Sequence, residues 1–413
     1  MASVTPVTVP GDTAPNGDRV PVPALAALLL SGWFPMFGLF AIGVDFPMVA
    51  AAFPDERYGA MLAQLIGGLS GLLFAAGSWW IGGTVERLGP RTVYLAGVVG
   101  FAGFGALPAI IDSLPWILVT RCAFGLCVAA VATAGLSGIS KLPPARRAKF
   151  FGWQTLSAGI GSAICFPLVG MLGEENWRYP FLLHLAALAV IPLAMTISPV
   201  AKREPVETWP IKGGNHGIPL PLLIMAAFAG LAMSAGPMFT PFYVLSLGVT
   251  DPEAGSTALV VMSIAGLLAA TVFGALHVRL GSRGIFALTL LCVAAGSFGA
   301  GAARGMVGFT VGMAVMATGL AIFSPNLAAA IAQRTEKPAR ALASGLAALF
   351  AVQAVFPFLA QALSANFGPS SLFTALGATA LLFLAVLAIA TWRSAHGQRR
   401  TVAIASTRQP GDR

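Results

Sequence analysis

Asp45 and Arg121 stand inside long apolar stretches, where charge is most costly. A charged side chain at the centre of a bilayer costs about 2.5–3.5 kcal/mol on insertion scales, so each must face water or a partner. An Asp beside a mobile Arg can act as a proton switch. Paired, the carboxylate is held ionised; drawn away into an apolar setting, it takes up a proton. The plainer reading of the same two residues is a permanent ion pair that fixes two helices. His184 is a second titratable candidate, set against the plainer reading of a hydrogen-bonded core residue.

The elements that must position these residues follow from composition. Of 413 residues, 57% are apolar and 9% charged, with a mean hydropathy of +0.83. In water such a chain would expose far too much apolar surface, whereas its repeated apolar runs match the thickness of a bilayer. Twelve spans are expected, roughly at 24–51, 60–82, 93–111, 115–139, 150–172, 179–197, 218–245, 256–276, 285–302, 307–332, 341–366 and 371–391. They must be helices, because lipid offers no partner to backbone N–H and C=O groups. The polar segment at 199–217 separates six spans (23–198) from six (218–391), and polar tails occupy 1–22 and 392–413. The fold class is an all-α membrane protein of two pseudo-symmetric six-helix bundles.

A repeat supports the doubling. Gly82, Arg87, Leu88, Gly89 and Arg91 recur 192 residues later as Gly274, Arg279, Leu280, Gly281 and Arg283, although Glu86 is answered by Val278. With an even number of spans, 20 of the 24 Lys and Arg residues fall on the side of the tails, the linker and these basic loops. The positive-inside rule makes that side cytoplasmic, with both termini inside a bacterial-type inner membrane. Asp45 lies near the outer end of the first span and Arg121 near the outer start of the fourth. Both fall roughly 8–12 Å below the outer surface at about 1.5 Å per residue, so they could pair.

The C-terminal six spans carry no Asp, Glu, Lys or Arg in their interiors. They offer Phe239, Thr240, Tyr243, Phe323, Asn326 and Gln353, a set suited to lining a pocket for a weakly polar solute. The plainer reading of each is ordinary interhelical hydrogen bonding. Pro167, Pro237, Pro241, Pro325 and Pro357 should kink their helices. The basic residues form no patch for nucleic acid, Cys122, Cys127, Cys165 and Cys292 lie in apolar runs, and no metal-ligand spacing occurs. P-loop, zinc-protease and serine-hydrolase motifs are missing, which points away from an enzyme and from any cofactor.

Several motifs resemble those of the major facilitator superfamily. Gly82-x-x-x-Glu86-Arg87-x-Gly89-Pro90-Arg91 is similar to its loop motif between helices two and three, with Glu86 where Asp is usual and Pro90 where a basic residue is usual. Arg121-x-x-x-Gly125 is similar to its fourth-helix motif, whose Arg is tied to proton coupling in antiporters. Asp45-Phe46-Pro47 and Trp177-Arg178-x-x-Phe181 fall at family positions in helices one and six. The likeness is nearest to the twelve-helix drug/proton antiporters, but of their fifth-helix pattern only Pro167 and Gly170 remain, which leaves solute import open.

The resemblance implies alternating access, with helices one, four, seven and ten lining a cavity, which is where Asp45, Arg121, Tyr243 and Asn326 fall; Asp45, Arg121 and His184 are the candidates for proton coupling. It also implies a latch of Gly82, Glu86, Arg87, Gly89 and Arg91, with Glu86 near the start of helix eleven at Ala341. The expectation is a monomeric transporter of a small organic solute, exporting it against protons, with Na⁺ left open as the ion. Proton-driven import is one alternative; a membrane sensor or scaffold that moves nothing is another.

Overall fold

The computed structural model describes residues 20–140, 142, 144–198, 218–249, 252–332 and 338–407, without the side chains at 79, 144–149, 151, 155, 252–253, 332, 338–343 and 393–407. Among the described residues every regular element is helical. The first bundle contains α1 (Val22–Ala51), α2 (Gly59–Leu88), α3 (Pro90–Ile110), α4 (Leu114–Ser140), α5 (Pro144–Glu175) and α6 (Tyr179–Ala194). The second contains α7 (Leu220–Ser246), α8 (252–280), α9 (282–302), α10 (Met306–Ala332), α11 (338–367) and α12 (Ser371–Thr407). Among the described residues nine helices are long and apolar enough to span a bilayer, and the bent pair Ser344–Ala354 and Phe356–Phe367 makes a tenth. One of the nine, Ala254–Ala302, is two spans joined at Gly281, and the shorter Tyr179–Ala194 completes the twelve.

The doubling is written in the backbone. Gly89 (φ 82°, ψ 153°) is the single residue between α2 and α3, and Gly281 (φ 64°, ψ 175°) is the single residue between α8 and α9. Residues with a Cβ are strained in that region of backbone space. The sequence suggested short basic loops here. Instead Glu86 and Arg87 complete the last turn of α2, and Val278 and Arg279 that of α8. The apolar run ends where the bilayer ends, but the helix needs only its own backbone bonds to continue into the headgroups. These two turns mark what is called below the basic end of the molecule.

The helices that open each bundle are also broken alike. α1 passes through a π turn at Met36–Phe40 and a 3₁₀ stretch at Ala41–Asp45; α7 passes through a π turn at Ala235–Phe239. Pro237 lies in that π turn, Pro241 begins the α-helical turns that follow, and Pro357 sits at the 43° bend of α11. Pro167 and Pro325, in contrast, lie within helices that run on uninterrupted. The segments 1–19 and 199–217, read as a tail and a linker, lie outside the described residues. α12 continues to Thr407, past the expected end of its span at Thr391.

Inside the first bundle, polar side chains tie α1 to its neighbours. Tyr94 Oη donates to the Ala27 carbonyl (2.6 Å), Gln154 Nε2 to Ser31 Oγ (2.7 Å) and Trp33 Nε1 to Ser157 Oγ (2.7 Å). Between the bundles the contacts are close and rest on glycines. An added Cβ at Gly43 in α1 would meet the Pro237 carbonyl of α7; at Gly67 in α2, the Met238 methyl of α7 (2.9 Å); at Gly68, the Gln353 carbonyl of α11 (2.7 Å). One at Gly170 in α5 would meet Ser256 Oγ of α8. These seam contacts lie in the half of the molecule away from the basic end. Toward the basic end the α2–α11 seam widens into an apolar groove of about 490 Å³, lined by Leu72, Ala75, Ala76 and Trp80 opposite Ala347, Ala348 and Ala351.

Candidate functional site

Arg121 is 1% exposed, yet it is well satisfied. One guanidinium nitrogen donates to the carbonyls of Phe104 (2.6 Å) and Gly105 (3.2 Å) at the end of α3, and the group lies over the rings of Phe124 (4.5 Å) and Phe181 (5.5 Å). The last turn of a helix has carbonyls without intrahelical partners and carries the negative end of the helix dipole. A planar cation that can donate and stack at once suits such a place. Its Nε has no partner among the described residues.

His184 is packed beside it. Its Nδ1 is 2.8 Å from the Phe181 carbonyl, and its ring sits among Phe37 (4.6 Å), Phe101 (5.1 Å), Phe124 (5.1 Å) and Phe181 (6.4 Å). Gly105 makes room for it: a Cβ there would collide with the imidazole. Nε2 is buried and unpartnered among the described residues. Two of the three expected ion-handling residues are thus neighbours.

Asp45 stands apart from both. It ends the 3₁₀ stretch of α1 and is 2% exposed, and neither carboxylate oxygen has a hydrogen-bond partner among the described residues. Its carboxyl faces Gly173 of α5, whose Cβ, if present, would lie 2.5 Å from Oδ1. One turn earlier on α5, Gly170 receives Val44 and Ser256, so Asp45 borders the place where α1, α5 and α8 meet. No ion pair joins Asp45 to Arg121 in this conformation: the guanidinium is at α3, the carboxyl at α5. Among the described residues the ion pair present is Arg178–Asp112, which links the two connections α3–α4 and α5–α6 at the end away from the basic turns.

The expected cavity residues are all buried. Phe239 and Tyr243 pack on Phe373, and Tyr243 also on Phe309, with the Tyr243 hydroxyl 3.4 Å from the Ala300 and Gly301 carbonyls. Thr240 bonds the Ala235 carbonyl of its own helix (3.4 Å), Phe323 packs on Phe286, and Asn326 Nδ2 donates to the Ser282 carbonyl (3.0 Å). These five lie within the second bundle. Gln353 faces the other bundle, across from Gly68 and Gly71.

Of the latch residues, Gly82 has open space around it, Glu86 and Arg87 are exposed and Arg91 is half-buried. Gly68, Gly71, Ala75, Gly82 and Glu86 share one face of α2 at helical spacing, and Gly68, Gly71 and Ala75 meet α11. Glu86 is exposed at the end of that face, and the side chains at 338–343 that begin α11 lie outside the described residues. Sequence reading passed over Gly173, Gly68 and Gly71 because a glycine is conspicuous only by what its missing Cβ would strike.

Residues 28–353 match the family model described as Major Facilitator Superfamily. No curated protein matches the chain. Among solved structures, the chain is similar to the crystal structure of D-xylose-proton symporter, at 15% identity with a TM-score of 0.70 over 88% of this chain and 96% of that one. It is also similar to the crystal structure of a POT family transporter in complex with 5-aminolevulinic acid, at 14% identity with a TM-score of 0.73 over 88% of this chain and 95% of that one. At such identities the likeness is one of fold.

Proposed function

The chain belongs to the major facilitator superfamily, and from that premise we propose that this multi-pass membrane transporter exports a small organic solute in exchange for protons, with Asp45 as the proton carrier. The observation that carries the reading is the carboxyl of Asp45, 2% exposed and without a partner among the described residues, at the junction of α1, α5 and α8. An ionised carboxylate left without a partner there would cost several kcal/mol. The arrangement therefore suits the protonated acid, one arm of a two-state switch. In the other arm Arg121 leaves the α3 carbonyls and holds Asp45 ionised. His184, caged by phenyl rings, acts as the wall that keeps Arg121 in its parked place.

Among the described residues no charged side chain is paired with Asp45. α5 presents Gly173, with Glu174 and Glu175 beyond it exposed, and α8 presents Ser256 near Gly170. Acid should accordingly favour this conformation. Raising the pH should favour its opposite, because deprotonation is penalised only where the carboxyl is dry. With the basic end cytoplasmic, as the positive-inside rule suggests, the tight seam is the outer one, the closure that an inward-facing state requires. Glu86 on the α11-facing side of α2 supports a latch that engages when the inner ends approach.

The driving force is a gradient, since the sequence holds no nucleotide-binding motif. A neighbour of the same fold is named as a proton symporter, which supports proton coupling and keeps import as the second reading. The experiment is substrate-dependent proton flux in proteoliposomes under an imposed pH gradient, screened over a broad compound panel. Asp45→Asn is expected to abolish proton movement while solute still exchanges; proton flux unchanged in that variant rules out Asp45 as carrier. Solute moving out with protons, in the same direction, would turn the assignment to symport.

A further inference from the structure

Gln353 lies near the middle of α11, in the 3₁₀ turn Val352–Ala354 just before the 43° bend. It is completely buried, and neither its amide nitrogen nor its amide oxygen has a partner among the described residues. Its side chain fills a notch in α2. A Cβ at Gly71 would collide with Oε1 and lie 3.2 Å from Cδ, while one at Gly68 would lie 2.7 Å from the Gln353 backbone carbonyl and 3.1 Å from Ala354 Cα. Pro357, four residues on, has no N–H to give that carbonyl. Around the notch the contact is apolar: Phe350 of α11 packs on Phe74 of α2 (4.7 Å) and on Phe40 of α1 (6.4 Å).

Good packing and an unpaired amide at one spot act in opposite directions. Burial of the rings and the fit into the notch hold the seam shut, whereas a desolvated amide without hydrogen bonds favours any state that hydrates it. We infer that Gln353, with the notch of Gly68 and Gly71, is a sprung contact that sets the balance between the closed α2–α11 seam seen here and an opened one. Parting of α2 and α11 lets water, or a polar group of the solute, reach the amide. The seam is thereby kept from locking. The inference rests on the reading that the two bundles rock against each other.

The experiment measures the distance between spin labels at Tyr58 and Phe367, exposed residues at the ends of α2 and α11 away from the basic turns, with the four native cysteines replaced. Gln353→Met keeps the length of the side chain and removes its hydrogen-bonding groups. It is expected to raise the ratio of short to long distances by roughly tenfold, the size that one unpaired buried amide implies. Gly71→Ala, which drives a Cβ into Oε1, is expected to lower that ratio, and Gln353→Ala in the same chain to restore it. An unchanged or lowered ratio in Gln353→Met overturns the sprung contact, and that result stands even if Gly71→Ala does not fold. A single fixed distance in the unmodified protein at every pH and in every variant overturns the rocking of the bundles itself. Two distances that exchange with pH but ignore Gln353→Met overturn only the role of Gln353.

Discussion

A guanidinium among phenyl rings is stable only if its charge and its donors are both answered. Arg121 finds ring faces for the one and the end of α3 for the other. Lysine could not do both, since its ammonium is a point charge without a flat face. Arg121→Lys should therefore lower the melting temperature of the purified protein, and Arg121→Met should lower it further, by about 1.5–3 kcal/mol of stability for the lost charged hydrogen bonds. The same Met variant removes the partner that would hold Asp45 ionised once its proton has left, so solute-driven proton flux should lose its pH dependence. His184→Leu, which keeps the bulk of the wall, should leave that dependence in place; its loss would move the carrier role from Asp45 to His184. That Asp45 and Arg121 would need special surroundings was legible in the sequence, because charge in an apolar run is costly wherever the helix points. Their separation was not legible. Depth along a helix follows from counting residues, but rotation about its axis follows from packing, here from Gly173 on α5 and from Phe104 and Gly105 on α3.

At the scale of elements, the bundles are held at their basic ends by turns of one residue. Gly89→Ala and Gly281→Ala should each cost about 1–3 kcal/mol, seen as a lower melting temperature or yield, because Ala must adopt a backbone conformation open in practice only to Gly. Gly82→Ala, in a helix with open space around it, should be neutral or gain up to about 1 kcal/mol. Equal effects at Gly82 and Gly89 would contradict this account of the turns. The repeat around Gly89 and Gly281 could be read directly, since the need for glycine leaves a mark at a fixed spacing. The π turns at 36–40 and 235–239 leave no such mark. They need one extra residue within a turn and some room beside it, and the room is supplied by helices far away in sequence. Prolines mark these places only in part: Pro237 and Pro357 coincide with breaks, whereas Pro167 and Pro325 are absorbed within continuous helices.

For the whole molecule, the asymmetry of Lys and Arg predicts sidedness that a membrane-impermeant thiol reagent can check. A cysteine at Glu86 should be modified from the cytoplasmic side only and one at Asp112 from the opposite side only; the reverse pattern would invert the assigned topology. The seam has a polarity of its own. Gly43, Gly67, Gly68, Gly71, Gly159 and Gly170 of the first bundle receive atoms of the second, while the described glycines of the second bundle have atoms of their own bundle, or open space, nearest to them. The two halves descend from one unit, yet after duplication they have come to bear different hazards. A random change from glycine in the first half adds bulk where another surface must slide, and is expected to jam the transporter. A random truncation at Pro237 or Met238 only leaves a gap. In a saturating mutagenesis screen, inactive but well-expressed variants should cluster in the first half and leaky ones in the second.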